Sequence, residues 1–295
     1  MRDFSIASDA QFYITTPLVN GGISKSGGGE LNLEPYQPST FADAVIVNAG
    51  VLAARGNGAF GTSAGGVTIN SGGTVKLESS WVYGDAFTVS GPGATIPGEA
   101  NVREIGALIS DSGTNRITGA VALAADATIA SNIVMDPSVT PAAGGAPAKV
   151  SNFVIASAGG ITNAIPGTFT LTLSGHGDGT MVNGLNTTTG GLIKNGAGRW
   201  TIAGASAYIG DTTINAGSLR VTNATALGTV AGTTTVYGGA LELDGGILGF
   251  AEPLKLYGDG PNVQSGALVN AGGINTTTSP RKARRSLTDV SPAPP

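Results

Sequence analysis

The chain has 295 residues, 48 of them glycine; 12% are charged and 41% hydrophobic, the latter mostly Ala, Val, Ile and Leu. Glycine at that level without a Gly-X-Y period excludes collagen, and the apolar content excludes a charge-rich disordered chain. The net charge of −4 is too weak to capture a polyanion, so no nucleic-acid partner is expected, and the absence of cysteine removes disulfides and thiolate metal sites together.

In chain order, residues 1–20 read as a lead-in segment. The start, MRDFSIASDAQFYITT, has no basic stretch followed by an apolar core, so no secretory leader is expected here, and no apolar run reaches the roughly 18 residues of a membrane helix. Residues 21–189 form a first superrepeat and 190–278 a shortened second. GGISKSGGGELNL from Gly21 returns as GGLIKNGAGRWTI from Gly190, VNAGVLAARGNGAFGT from Val47 as INAGSLRVTNATALGT from Ile214, and GGTVKLE from Gly72 as GGALELD from Gly238. The offset then drops, which places an extra loop in the first copy between residues 91 and 106. Residues 138–148, with two prolines and two glycines, read as a second loop leaving the wall. The basic, Pro-rich tail, 279–295, shares neither composition nor period with the rest and is expected to be disordered.

A shorter beat runs inside each copy. Val47, Ile69 and Val89 step by 22 and then 20, and Ile214, Val236 and Leu256 do the same. Short β-branched runs between glycine or asparagine turns at that spacing predict an all-β, right-handed parallel β-helix with about 20–22 residues per coil, roughly thirteen coils in all. Alternation sets the inward side: Leu219, Val221, Leu241 and Leu243 face in, and Glu242 and Asp244 face out.

Residues 190–229 resemble the autotransporter-associated β-strand repeat, or passenger-associated transport repeat. Leu192, Lys194, Gly196 and Gly198 match its first part, Tyr208, Gly210, Thr212, Ile214, Gly217 and Leu219 its second, and Ala226, Leu227 and Gly228 its last. The first copy is looser, with residues 37–44 replacing the Tyr-x-Gly-x-Thr stretch, and residues 105–131 resemble a segment that separates such repeats in large passengers. The resemblance implies a secreted or outer-membrane-associated, non-enzymatic passenger or stalk on a bacterial surface, aiding secretion and folding. Host-surface, extracellular-matrix or polysaccharide ligands would be its partners, and membrane association would come only through a C-terminal barrel outside this sequence. The alternative is a β-helix that binds or cleaves polysaccharide, of the lyase or phage-tail kind.

Cleavage of a glycosidic bond needs two carboxyl groups at fixed spacing. Asp211, Asp244, Asp259, Glu242 and Glu252 are scattered in the sequence and suit turns. The only histidine, His176, stands near Asp178 in a glycine-rich turn; with no second histidine and no cysteine, no zinc site and no cofactor are expected. GNGAFG at 56–61 fits a dinucleotide fingerprint but leads into a strand rather than a helix. Asn186, Asn223 and Asn275 sit in acceptor-like triplets and are expected in ladders or turns. Trp81, Tyr83, Phe87, Trp200 and Tyr208 are open to two readings, filling a thin core or gripping a sugar or partner.

Overall fold

The computed structural model describes residues 1–95, 106–132, 151–261, 266–278 and 281–283. Among them there is no helix, and every strand pairing is parallel. Across these residues the chain winds as a parallel β-solenoid whose longest face stacks twelve strands.

Three ladders of strands form the wall. The first face stacks Arg2–Ser5, Ile23–Ser26, Val45–Val47, Val67–Ile69 and Phe87–Gly91, then the start of Val121–Ser131, Ile161–Asn163 and Leu185–Asn186. The second face runs from Gln11–Ile14 through Glu30–Leu33, Gly50–Ala54, Gly73–Leu77 and Leu108–Ser110 to the end of Val121–Ser131. It continues through Leu171–Ser174, Leu192–Lys194, Thr212–Ile214, Thr234–Val236 and Leu254–Leu256 to Arg281–Ala283. The third face starts at Val82–Tyr83 and ends at Leu268–Asn270. The 11-residue strand Val121–Ser131 turns the corner between the first two faces and ties them into one sheet.

The short beat is visible in the register. Val47 pairs with Ile69, Ile69 with Val89, Ile214 with Val236 and Val236 with Leu256. Inward positions are the apolar ones because a strand side chain repeats every second residue. Leu219, Val221, Leu241 and Leu243 are buried and Glu242 lies on the outer side, as the alternation requires.

Thirteen coils were too many, because the beat is not kept throughout. Phe87 pairs with Val121, 34 positions on, and Val121 with Ile161, 40 positions on. Both long coils hold an expected loop. The 138–148 loop lies outside the described residues, as does 96–105 within the 91–106 loop. Residues 1–20 supply two strands, so this segment is itself the first coil. Within the tail, Arg281–Ala283 forms a strand rather than disordered chain, and its other residues lie outside the described ones.

The two superrepeats do not sit on the same side of the solenoid. Lys25 lies in the first ladder between Phe4 and Val47, whereas its counterpart Lys194 lies in the second between Leu173 and Ile214. The second copy is rotated by one face.

Candidate functional site

The Gly-x-Leu-x-Lys-x-Gly-x-Gly stretch builds a cage. Lys194 turns inward at the end of its strand and is fully buried, and its Nζ donates to the carbonyls of Asn195 (2.5 Å), Gly196 (2.8 Å) and Ala216 (3.1 Å). Lys25 repeats this with Ser26 (2.8 Å), Gly27 (2.8 Å) and Ala49 (3.0 Å). An ammonium has three donors, and each cage takes all three. Two of the carbonyls come from the lysine's own turn and the third from the next coil, so the side chain stitches adjacent coils. Glycine is required where those turns meet: at Gly217, with φ of +60°, an added Cβ would stand 2.5 Å from the carbonyl oxygens of Gly196 and Gly198.

The looser part of the first copy keeps its register. Ser39 Oγ accepts from the Leu18 amide at 3.1 Å and Ser206 Oγ from the Leu185 amide at 2.9 Å, and Phe41 takes the buried place of Tyr208. Beside each cage an asparagine pair runs up the corner, with Asn70 Nδ2 donating to Asn48 Oδ1 (2.8 Å) and Asn215 Nδ2 to Asn195 Oδ1 (2.9 Å).

Among the described residues, the densest chemistry on the outside lies on the second face and was not foreseen from the sequence. Lys76 Nζ meets Glu30 (2.7 Å) and Glu78 (3.4 Å), and Arg55 meets Glu78 (3.2 Å) and Glu30 (3.6 Å). The Arg55 guanidinium also stands 5.8 Å from the ring centre of half-exposed Tyr13. Burial pulls the Lys76 ammonium down, but Glu30, Glu78 and Asp111 outweigh it and hold its pKa above the ordinary lysine value. The chain leaves the cluster through Ser79 and Ser80, both left-handed (φ of 75° and 67°), to Trp81, whose Nε1 donates to the Arg55 carbonyl. Asn32 lies in the same row, fully buried, with neither side-chain polar atom partnered.

Residues 192–221 match the family model of the passenger-associated-transport-repeat. These residues carry a passenger-associated transport repeat. A 91-residue stretch, 30% of this chain, is 40% identical to the "Adhesin BmaC autotransporter" of Brucella suis biovar 1 (strain 1330), and it spans 2% of that protein. No solved structure matches the chain. The matched repeat contains Lys194 and its cage partners, so the motif's lysine and glycines have a direct structural reading.

The sequence-derived candidates fall elsewhere. Asp211 accepts from the Thr233 amide, Glu242 and Asp244 both pair with Arg220 (2.8 and 3.2 Å), and the Asp259 carbonyl accepts from Gly266. Glu252 is buried and takes a hydrogen bond from Thr234 Oγ1; burial pushes its carboxyl up to about 7, against that bond, with Asp211 adding to the rise. His176 is exposed in its turn, while Asp178 pairs with Arg199 at 3.2 Å. Asn186 donates to the Gly159 carbonyl, Asn223 closes a turn onto Thr225, and Asn275 bonds Asn270, Gly272 and Leu243.

The aromatic residues settle the two readings toward packing. Tyr83, Phe87, Trp200 and Tyr208 are buried, and Trp81 packs partly buried against the core. The exposed aromatics are others: Phe12, Tyr13, Tyr36 and Tyr237, the last stacked on Tyr257 with centroids 5.4 Å apart and planes 9° off parallel. A shallow groove between residues 163–168 and Thr188–Thr189 carries hydroxyls and amides but no titratable group.

Proposed function

We propose that this chain is a segment of the extracellular passenger of an autotransporter, a non-enzymatic rod whose exposed wall serves adhesion and whose repeats assist secretion and folding outside a bacterial cell. The observation that carries this reading is the repeated lysine cage: the motif matched to transport repeats is spent on joining coils and leaves no reactive group free. The named adhesin relative supports an adhesive role. Cleavage of polysaccharide is disfavoured, since the carboxylates that are brought together are held by cations, Glu30 and Glu78 by both Lys76 and Arg55, and Glu242 and Asp244 by Arg220.

The test is display. The whole chain, placed between a secretory leader and an autotransporter barrel, is expected at the cell surface, open to added protease and antibody, and to increase attachment of the cells to host cells or matrix. Retention in the periplasm would overturn the passenger assignment. Surface display without attachment would remove adhesion alone.

A further inference from the structure

We infer that the polar cluster around Asn32, on the outer side of the second face, opens as a binding subsite for a neutral hexose unit of a saccharide. The inference rests on the reading of the chain as an exposed adhesive rod and gives that rod a ligand class. Asn32 alternates with Leu31 and Leu33, which belong to the core, so its amide points outward. It is fully buried there, and both its Oδ1 and Nδ2 lack a partner. Buried amide atoms without partners cost stability, and a ligand that paired with both Asn32 atoms would offset that cost.

The surroundings define what would bind. Along the ladder Asn32 stands between Tyr13 and Ala53, and Lys76 follows Ala53. Ala53 presents only a methyl group, and Lys76 reaches across its coil to Glu30 at 2.7 Å. Opening the amide to a ligand requires the long side chains beside it, Lys76 and Glu30, to swing away, while the half-exposed Tyr13 neighbours Asn32 on the adjacent coil. Lys76 and Arg55 face the carboxylates of Glu30 and Glu78, with Asp111 also acting on Lys76, so the cluster has no excess positive charge with which to select an anion. An incoming anion would meet Glu30 and Glu78. An amide offers one acceptor and one donor group side by side, which matches vicinal hydroxyls, one donating to Oδ1 and the other accepting from Nδ2. The C–H face of a pyranose would lie on Tyr13, and the Glu30 carboxylate would take a further hydroxyl proton in a hydrogen bond once Lys76 moves aside.

The experiment uses the full purified chain with short neutral oligosaccharides of glucose, galactose and mannose, alongside uronate oligomers of the same length, read by calorimetry and saturation-transfer NMR. Binding of at least one neutral series is expected, weakened roughly tenfold or more in Asn32→Leu and in Tyr13→Ala. Asn32→Leu is expected to melt no lower than the parent chain, because it removes two unpaired polar atoms at similar volume. The inference is overturned if no neutral series binds, if uronates alone bind, if both variants bind as well as the parent, or if Asn32→Leu lowers the melting temperature. Surface display measured with the same chain reports on the passenger reading independently, so a failure of sugar binding and a failure of that reading are separable.

Discussion

At Lys25 and Lys194 an ammonium is buried in a cage of three carbonyls, which have the lysine donors in common. Removing the ammonium leaves those carbonyls short of a donor inside the wall. Lys194→Met, which keeps much of the side-chain shape, is expected to cost about 3 kcal/mol, read as a fall in the urea midpoint. Exposed Lys255→Met should stay within about 0.5 kcal/mol, and equal losses in the two would contradict the cage. Titration gives a second test. The Glu252 carboxyl is raised from 4.5 to about 7, mainly by burial, so between those values the folded chain binds more protons than the unfolded one. Its stabilising effect is present below about pH 4.5 and is lost as pH rises through 7. Melting should therefore fall between about pH 5 and pH 7.5, and Glu252→Gln should flatten that change. Lys25 works in a separate window: burial pushes it down from 10.5 to about 8, so its contribution to stability rises with pH between those values.

Among the elements, Asp178–Met181 and Arg199–Ile202 show how size is matched across coils. Gly179 pairs directly with Trp200, and a Cβ on Gly179 would stand 2.5 Å from the indole ring. The ring is fully buried, 6.3 Å from the Phe153 centroid in an edge-on arrangement, and its Nε1 donates to the Ser174 carbonyl at 2.9 Å. Gly179→Val should destabilise by about 1–3 kcal/mol, and Trp200→Leu in the same chain should recover part of it. Changes that simply add, with no recovery, would contradict direct packing. This pairing was not legible in the sequence, because it joins a glycine to a tryptophan 21 positions on, with nothing local to mark it. The register at Val47–Ile69–Val89 and Ile214–Val236–Leu256 was legible, since there each coil keeps its length and the apolar residue before the turn recurs. The first copy's Ser39 and Phe41 were harder to place, because hydroxyl and ring position carry the equivalence and the surrounding motif has changed.

Over the whole molecule, the three faces come from the way coil length varies, and this limits what periodicity can reveal. The two 34- and 40-residue coils reduced the turn count, and the rotation of the second copy by one face has no trace in an alignment, which equates residues without saying where around the axis they lie. The Glu30, Arg55, Lys76 and Glu78 cluster was hidden for the same reason: it draws on three successive coils of one ladder, and only the register brings them together. What the sequence did show, the lysine and glycines of the transport repeat, are residues whose role is repeated within the chain. The register is the claim on which the cages, the cluster and the rod all depend, and a chain with no native cysteine allows it to be tested by crosslinking. Thr213 and Thr235 are outward partners on neighbouring coils, and Thr235 pairs next with Lys255. Neighbouring strands lie about 4.8 Å apart, within the span of a disulfide, whereas two coils are beyond it. Mild oxidation of Thr213→Cys/Thr235→Cys should close a disulfide in nearly every molecule while Thr213→Cys/Lys255→Cys stays reduced; a reduced first pair, or an oxidised second one, would contradict the solenoid register.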